Sequence, residues 1–200
     1  MQLYLNTSSP YARVVRVCLY EKGLMERTEL CWCDPWASDS ELLKITPLSR
    51  IPTLVTEGGE VLTESLLIAH YLDAVGEGAK LLPADGLAET LALAGLGQGL
   101  MEAAFNVVIG RKHGGPDVDE TLLGSRRLKA IERTLVTLEA HPSVLAGHTQ
   151  RTLGAIVVAV ALAYLSFRLP AFDWPNRFPR LQAWFAKVTE CDSFALTAFE

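Results

Sequence analysis

Two adjacent serines stand where the first predicted strand gives way to the first predicted helix. Ser8 and Ser9 precede Pro10, and a serine followed by proline is a frequent helix start. A helix start presents free N–H groups and a partial positive charge, so a serine hydroxyl there can donate a hydrogen bond to a thiolate. Lowering a thiol pKa by about two units requires about 2.7 kcal/mol, the scale of one charge-assisted hydrogen bond plus the helix dipole. The alternative is that Ser8 and Ser9 only cap the helix.

A proline at the start of a later strand is the second candidate. Arg50, Ile51 and Pro52 precede the predicted strand at 53–56. If the bond before Pro52 is cis, the amide and carbonyl of Ile51 are free to pair with an extended peptide, as in strand addition. An ordinary turn proline is the alternative.

An acid and a hydroxyl at another helix start form the third candidate. Glu64 can accept the ammonium of an amino-acid head group, while the Ser65 hydroxyl and backbone N–H bind its carboxylate. The alternative is that these are ordinary helix-start residues, with Thr63 as the cap.

The elements that must position these residues follow from hydrophobic periodicity and breakers. The pattern predicts strands at 3–6, 28–33, 53–56 and 60–63, with helices at 10–22, 38–45 and 64–75. Gly58 and Gly59 indicate a hairpin, so the sheet is mixed, with helices on its faces. A linker is predicted at 78–84. An all-helical domain follows at 85–200, with helices at 87–111, 119–139, 153–167 and 178–190.

Composition excludes several classes of function. The formal net charge is −5, and no cluster of basic residues suits nucleic acid. The longest apolar run, 156–165, is shorter than the about 20 residues that cross a bilayer, so we expect no membrane association. The four histidines are scattered without the spacing of metal ligands. No pair of the four cysteines forms a C-x-x-C, and we expect reduced thiols packed as small hydrophobic residues rather than disulfides.

The order and spacing of the three motifs, on this frame, resemble the glutathione S-transferase superfamily. Ser8-Ser9-Pro10-Tyr11 is similar to the Ser-x-Pro motif of serine-type theta- and delta-like bacterial members. The resemblance implies a thioredoxin-like N-terminal domain at 1–77 and a helical bundle behind it. Ser8 is then the thiol-activating residue, ahead of Ser9 and of Tyr4 on the first strand.

The resemblance also implies the remaining contacts with glutathione. Ile51, before a cis Pro52, pairs with the cysteinyl backbone, while Glu64 and Ser65 hold the γ-glutamyl end. Arg50 lies where the family often has a polar residue near the glycyl carboxylate.

The rest of the chain adds weaker expectations. Met101, Phe105 and Tyr164 are candidates to line the pocket of the second substrate, a hydrophobic electrophile. At the start of the helix at 153–167, Ala155 stands where the family usually has the aspartate of a capping box, so the cap of Thr152 is expected to be incomplete.

The implied function is a cytoplasmic, homodimeric detoxification enzyme that uses glutathione as substrate and needs no cofactor. Glutathione-dependent peroxidase, reductase or isomerase chemistry stays open, because the same thiolate serves all of them. A cysteine at the first helix start would favour thiol–disulfide chemistry, and none occurs there. A non-catalytic regulatory protein, of the kind represented by the stringent starvation proteins, is the other alternative.

Overall fold

The computed structural model describes residues 1–115 and 117–200, which form two compact units. The N-terminal unit contains Met1–Ala84 together with Cys191–Glu200, and the helical unit contains Asp85–Glu190. The last ten residues, which the sequence grouped with the helical domain, thus pack with the N-terminal unit.

A four-stranded mixed sheet forms the centre of the N-terminal unit. Its strands are β1 (Gln2–Leu5), β2 (Glu29–Trp32), β3 (Thr53–Val55) and β4 (Val61–Thr63), in the order β2-β1-β3-β4. β1 is parallel to β2, whereas the β1–β3 and β3–β4 pairs are antiparallel. The thioredoxin-like arrangement expected for this domain, and the helical domain that follows it in the chain, are confirmed.

Ten α-helices lie in the part of the chain that the structure describes. They are α1 (Pro10–Glu21), α2 (Ser40–Ile45), α3 (Ser65–Val75), α4 (Leu87–His113), α5 (Leu122–Glu139), α6 (Pro142–Leu145), α7 (Leu153–Arg168), α8 (Trp174–Arg177), α9 (Pro179–Val188) and α10 (Asp192–Ala195). Short 3₁₀ turns occur at Met25–Arg27, Val118–Glu120 and Pro170–Phe172.

Residues at both ends of helix α1 define where it begins and ends, and so fix the position of its first turn. Pro10 occupies the first turn, where a missing N–H costs nothing, and Ser9 is the N-cap. The helix stops at Glu21, followed by Gly23 with φ of +63°, a conformation that glycine adopts without strain. One side of α1 is buried, including Val14, Val17 and Cys18.

In the helical unit, glycines let α4 and α7 approach closely. A Cβ on Gly97 would lie 2.7 Å from the backbone nitrogen of Val158, and one on Gly154 would lie 2.6 Å from the Thr90 carbonyl oxygen. A Cβ on Gly95 or Gly99, which also lie in α4, would meet nothing within 4 Å, so close packing accounts for Gly97 but not for those two glycines.

Two further features of the helical unit bear on the sequence-based expectations. The Thr152 hydroxyl accepts a hydrogen bond from the Ala155 N–H at 3.3 Å, so α7 keeps half of a capping box without an aspartate. By length and composition alone, α4 is long and apolar enough to cross a membrane, a candidate that the expectation based on the run 156–165 did not include; the helix packs against α5 and α7.

Candidate functional site

The sheet brings the three sequence motifs to one of its ends. β1 ends at Leu5, and in the antiparallel register Tyr4 pairs with Thr53, the first residue of β3. Thr53 also pairs with Thr63, the last residue of β4. The segments that follow β1, precede β3 and follow β4 therefore leave the sheet at the same end.

At the first of these segments, the two serines have different surroundings. The Ser9 hydroxyl accepts a hydrogen bond from the Ala12 N–H at 3.2 Å, and the Ser9 N–H donates to Asn6 Oδ1 at 2.8 Å. Ser8 is also half-buried, and its hydroxyl makes no hydrogen bond within residues 1–115 and 117–200. The cap thus holds Ser9 Oγ toward the Ala12 N–H as an acceptor, while the Ser8 hydroxyl is available to a ligand as both donor and acceptor.

Tyr4 has a poor environment for activating a thiol. It lies within β1 opposite Cys31, and burial together with the Cys31 thiol raises its pKa above the usual value. A tyrosine with a raised pKa holds its proton more tightly, so its hydroxyl is a weaker donor to a thiolate.

No disulfide joins the four cysteines, and none of them occupies the start of α1. Burial raises the pKa of Cys18, Cys31 and Cys33, which keeps these thiols protonated. Cys191, the fourth cysteine without a disulfide, lies in the C-terminal segment with its Sγ 3.2 Å from Ser193 Oγ.

At the second segment, the Ile51–Pro52 peptide bond is cis. Pro52 is buried, and the Thr53 hydroxyl donates to the Arg50 carbonyl at 2.8 Å. Within the described residues, neither the N–H nor the carbonyl of Ile51 has a hydrogen-bond partner. The backbone of Ile51 is therefore free to pair with an extended ligand, while the Arg50 side chain is exposed beside it.

At the third segment, the backbone is strained and a hydroxyl is unpaired. Glu64 occupies the N-cap position of α3, with φ of 67° and ψ of 117° and no capping hydrogen bond from its side chain. Thr63, which the sequence suggested as a cap, instead belongs to β4. Ser65 is only 3% exposed, and its Oγ has no partner among the described residues.

An unpaired buried hydroxyl and a positive φ at a glutamate both have a cost. A buried polar group without a hydrogen bond destabilises the folded protein by about 1–3 kcal/mol. A non-glycine residue with a positive φ destabilises it by about 1–3 kcal/mol as well. Features of this kind cluster at ligand sites, where the ligand supplies the missing bond.

The three candidates for the second pocket lie in the helical unit and differ in accessibility. Met101 has no exposed surface and Tyr164 is 2% exposed, whereas Phe105 is half-buried. Burial raises the pKa of Tyr164, and its neighbour Arg168 partly offsets the shift. Phe105 is the most accessible of the three to a substrate.

The described residues hold no group of three or more histidine, cysteine or acidic side chains that could bind a metal ion. The site thus consists of one free hydroxyl, one free backbone pair, one carboxylate and one buried hydroxyl. Such a set suits a peptide with a charged amino-acid end rather than a metal.

Comparison with protein families gives two matches. The model of the glutathione S-transferase N-terminal domain matches residues 8–75, and that of the C-terminal domain matches residues 121–187. The first match contains all three motifs.

Individual relatives extend over the whole chain. A glutathione transferase family member from Pseudomonas fluorescens Pf-5, solved with bound glutathione, is 33% identical with a TM-score of 0.91, covering 100% of this chain and 98% of that one. A structure from the same source holds S-(propanoic acid)-glutathione, at 32% identity and a TM-score of 0.88, with 100% of both chains covered.

Two curated proteins complete the comparison. The uncharacterized GST-like protein YibF of Escherichia coli K12 is 32% identical over 206 residues, covering 98% of each chain. A stringent starvation protein A homolog of Pasteurella multocida is 36% identical over 73 residues, which are 36% of this chain and 33% of that protein.

Proposed function

Since the chain belongs to the glutathione S-transferase family, we propose that it is an enzyme that binds glutathione and activates its thiol for attack on an electrophilic small molecule. The observation that carries the proposal is the buried, unpaired Ser65 hydroxyl beside the strained Glu64. The γ-glutamyl end of glutathione supplies a carboxylate for the first and an ammonium for the second.

The other contacts follow the same chemistry. The cysteinyl N–H and C=O of glutathione pair with the backbone of Ile51 before Pro52, and Arg50 faces the glycyl carboxylate. The similarity to a transferase solved with glutathione supports this assignment.

Ser8 carries the chemical step in this proposal. Its hydroxyl donates to the thiolate sulfur, which lowers the thiol pKa, and the positive end of α1 adds to the effect. The proton of the thiol leaves to solvent, and the thiolate then attacks the electrophile to form a carbon–sulfur bond. Ser9 is less suited because its capping bond to the Ala12 N–H holds the oxygen toward the first turn of α1.

The remaining parts of the proposal rest on family membership. The second substrate is a hydrophobic electrophile, contacted in the helical unit by residues such as Phe105, with Met101 and Tyr164 behind it. The protein is a cytoplasmic homodimer that acts in detoxification and requires no cofactor beyond glutathione as substrate.

The decisive test compares two single variants in conjugation of glutathione to a model electrophile. Ser8→Ala lowers kcat/KM by about 10- to 100-fold, the equivalent of one charge-assisted hydrogen bond. Ser9→Ala retains most of the activity but lowers the free energy of unfolding by about 1 kcal/mol through loss of the cap. Full activity in Ser8→Ala together with inactive Ser9→Ala would exchange the two roles, and activity unaffected by either change would refute the mechanism.

A second candidate is a regulatory protein of the same fold without transferase activity. The similarity to a stringent starvation protein A homolog favours it, although that similarity covers about a third of either chain. It predicts that calorimetry detects no glutathione binding, whereas the transferase proposal predicts saturable binding.

A further inference from the structure

The C-terminal tail, defined as Cys191–Glu200, contacts Arg13, a buried cationic side chain of helix α1. Arg13 is 7% exposed, although arginine is rarely buried without a charged partner. Across residues 1–115 and 117–200, no carboxylate pairs with it. Its positive charge therefore lies in the protein interior without an opposite charge.

The partners of the Arg13 guanidinium all come from the tail. Nε donates to Thr197 Oγ1 at 3.4 Å, and Nη2 donates to the Phe194 carbonyl at 3.1 Å. The Phe199 and Phe194 rings lie 4.5 Å and 5.7 Å from its Cζ atom, within the range of cation–π interaction. A hydroxyl, a carbonyl and two aromatic rings thus provide the contacts of the guanidinium, but none of them carries a negative charge.

The tail is attached to α1 at two further points. Arg16 donates from Nη2 to the Leu196 carbonyl at 3.0 Å, and the Ser193 hydroxyl donates to Glu21 Oε1 at 2.6 Å. These contacts follow α1 from its first turn to its last. Because Phe194 and Thr197 are also buried, the tail is a packed part of the N-terminal unit.

Arg13 lies one helical turn after Ser9 and five residues after Ser8, the proposed thiol-activating serine. Its backbone N–H donates to the Ser9 carbonyl at 3.0 Å, which closes the first turn of α1. Helical side chains lean toward the helix N-terminus, so the charge of Arg13 adds to the positive end of the dipole. Water screens a buried charge weakly, so its field extends farther than that of a surface arginine.

The charged surroundings of Arg13 strengthen this argument. Burial, and then the like charge of Arg16, lower the pKa of Arg13 to about 10, so it stays protonated at neutral pH. Burial also lowers the pKa of Arg16, while Tyr20 and Glu200 act in the opposite direction.

We propose that Arg13, fixed by the C-terminal tail, is a positioning residue that holds the first turn of α1 and supplies a positive field at Ser8, favouring the thiolate of bound glutathione. The inference rests on the proposed function. It adds that the last ten residues of the chain contribute to thiol activation without touching the substrate.

The test measures the pKa of the glutathione thiol in the complex, from thiolate ultraviolet absorbance as a function of pH. Arg13→Met removes the charge and both hydrogen bonds but keeps a side chain of similar length. We expect it to raise the pKa of the bound thiol by about half a unit to one unit, which leaves about three- to tenfold less thiolate at neutral pH. Arg13→Lys keeps the charge and restores most of the shift. Arg27→Met, which removes an arginine 59% exposed in the same unit, leaves the pKa unchanged.

Affinity for S-methylglutathione separates this effect from damage to the site, because that ligand has no ionisable thiol. Arg13→Met is expected to bind it within about twofold of the wild-type affinity. An unchanged thiol pKa in Arg13→Met overturns the proposal, as does equal weakening for both ligands. If Arg13→Met does not fold, Thr197→Val and Phe199→Leu replace it, with a smaller rise of the pKa expected and no rise overturning the idea. Failure of the wild-type protein to bind either ligand contradicts the proposed function itself.

Discussion

The two ends of helix α3 differ in how completely their polar groups are satisfied. At its start, Glu64 has a strained backbone and Ser65 a buried hydroxyl without a partner among the described residues. Near its end, the Asp73 carboxylate accepts the N–H groups of Leu81 at 2.8 Å and Leu82 at 3.1 Å and pairs with the buried Lys22 at 3.1 Å.

The two ends of α3 therefore have different roles, structural at Asp73 and ligand-binding at Ser65. A chain segment after the helix fills the end at Asp73, so that end needs nothing from outside the protein. The end at Ser65 has an unfilled hydrogen-bonding capacity that a ligand can complete. Substitutions at the two ends should therefore change different measured quantities, stability at one and affinity at the other.

The largest effect is expected at the filled end. Asp73→Asn leaves the Lys22 ammonium, which has no exposed surface, without a carboxylate, and the free energy of unfolding falls by about 3–5 kcal/mol. Urea unfolding measures this change, with the exposed Asp85→Asn as the matched control, expected to be near neutral. A loss of less than 1 kcal/mol would show that the cluster is not the structural anchor described here.

The next effect is expected at the open end. Glu64→Gln keeps the size of the side chain but removes the charge that binds the ammonium of glutathione, so affinity falls by about 10-fold or more. Calorimetric titration measures it. Glu57→Gln, at an exposed glutamate that pairs with Arg27, is the control and keeps the wild-type affinity. Equal affinities for the two variants would remove Glu64 from the site.

A smaller effect tests the strain at the same residue. Glu64→Gly removes the strain of the positive φ, because glycine adopts this conformation freely. Glycine also raises the entropy of the unfolded chain, so the expected net gain in unfolding free energy is about 1 kcal/mol. Glu64→Ala keeps the strain and serves as the comparison. If both variants unfold at the same denaturant concentration, the backbone at Glu64 is not strained.

The smallest expected effect is a loss of stability at low pH that depends on Asp73. Burial by itself would raise the pKa of Asp73, but the Leu81 and Leu82 N–H groups and the Lys22 ammonium outweigh it, and the net pKa is lowered from 3.8. A lowered folded-state pKa contributes stability above the unfolded-state value and loses it as pH falls through the folded-state value. Stability of the wild-type protein should therefore decline below about pH 4, and this part of the decline should be missing in Asp73→Asn. Parallel declines in the two proteins would contradict the assignment.

The sequence predicted the order of elements around the sheet because apolar periodicity, Pro10 and the Gly58–Gly59 turn are local signals. It also placed the three motifs in one domain. Short helices such as α6, α8 and α10, of four residues each, went unpredicted because one turn is too short to show a period.

Other features depend on contacts that no local pattern contains. Which serine has a free hydroxyl depends on the cap that Ser9 makes, and the unpaired state of Ser65 depends on what surrounds it. The packing of the tail against Arg13 joins residues more than 180 positions apart in the chain. The sequence predicted an incomplete cap at Thr152 because Ala155 stands at the aspartate position, and the structure shows the half of the capping box that Thr152 makes.

The most direct test of the central claim is a calorimetric titration of the wild-type protein and of Ser65→Ala with glutathione. We predict saturable binding by the wild type and an affinity about 10- to 100-fold weaker in Ser65→Ala, with no loss of unfolding free energy because that hydroxyl has no bond to lose within the protein. Ser125→Ala, in the helical unit, should bind as the wild type does. Equal affinity in wild type and Ser65→Ala, or no binding by the wild type, would contradict the assignment of this site to glutathione.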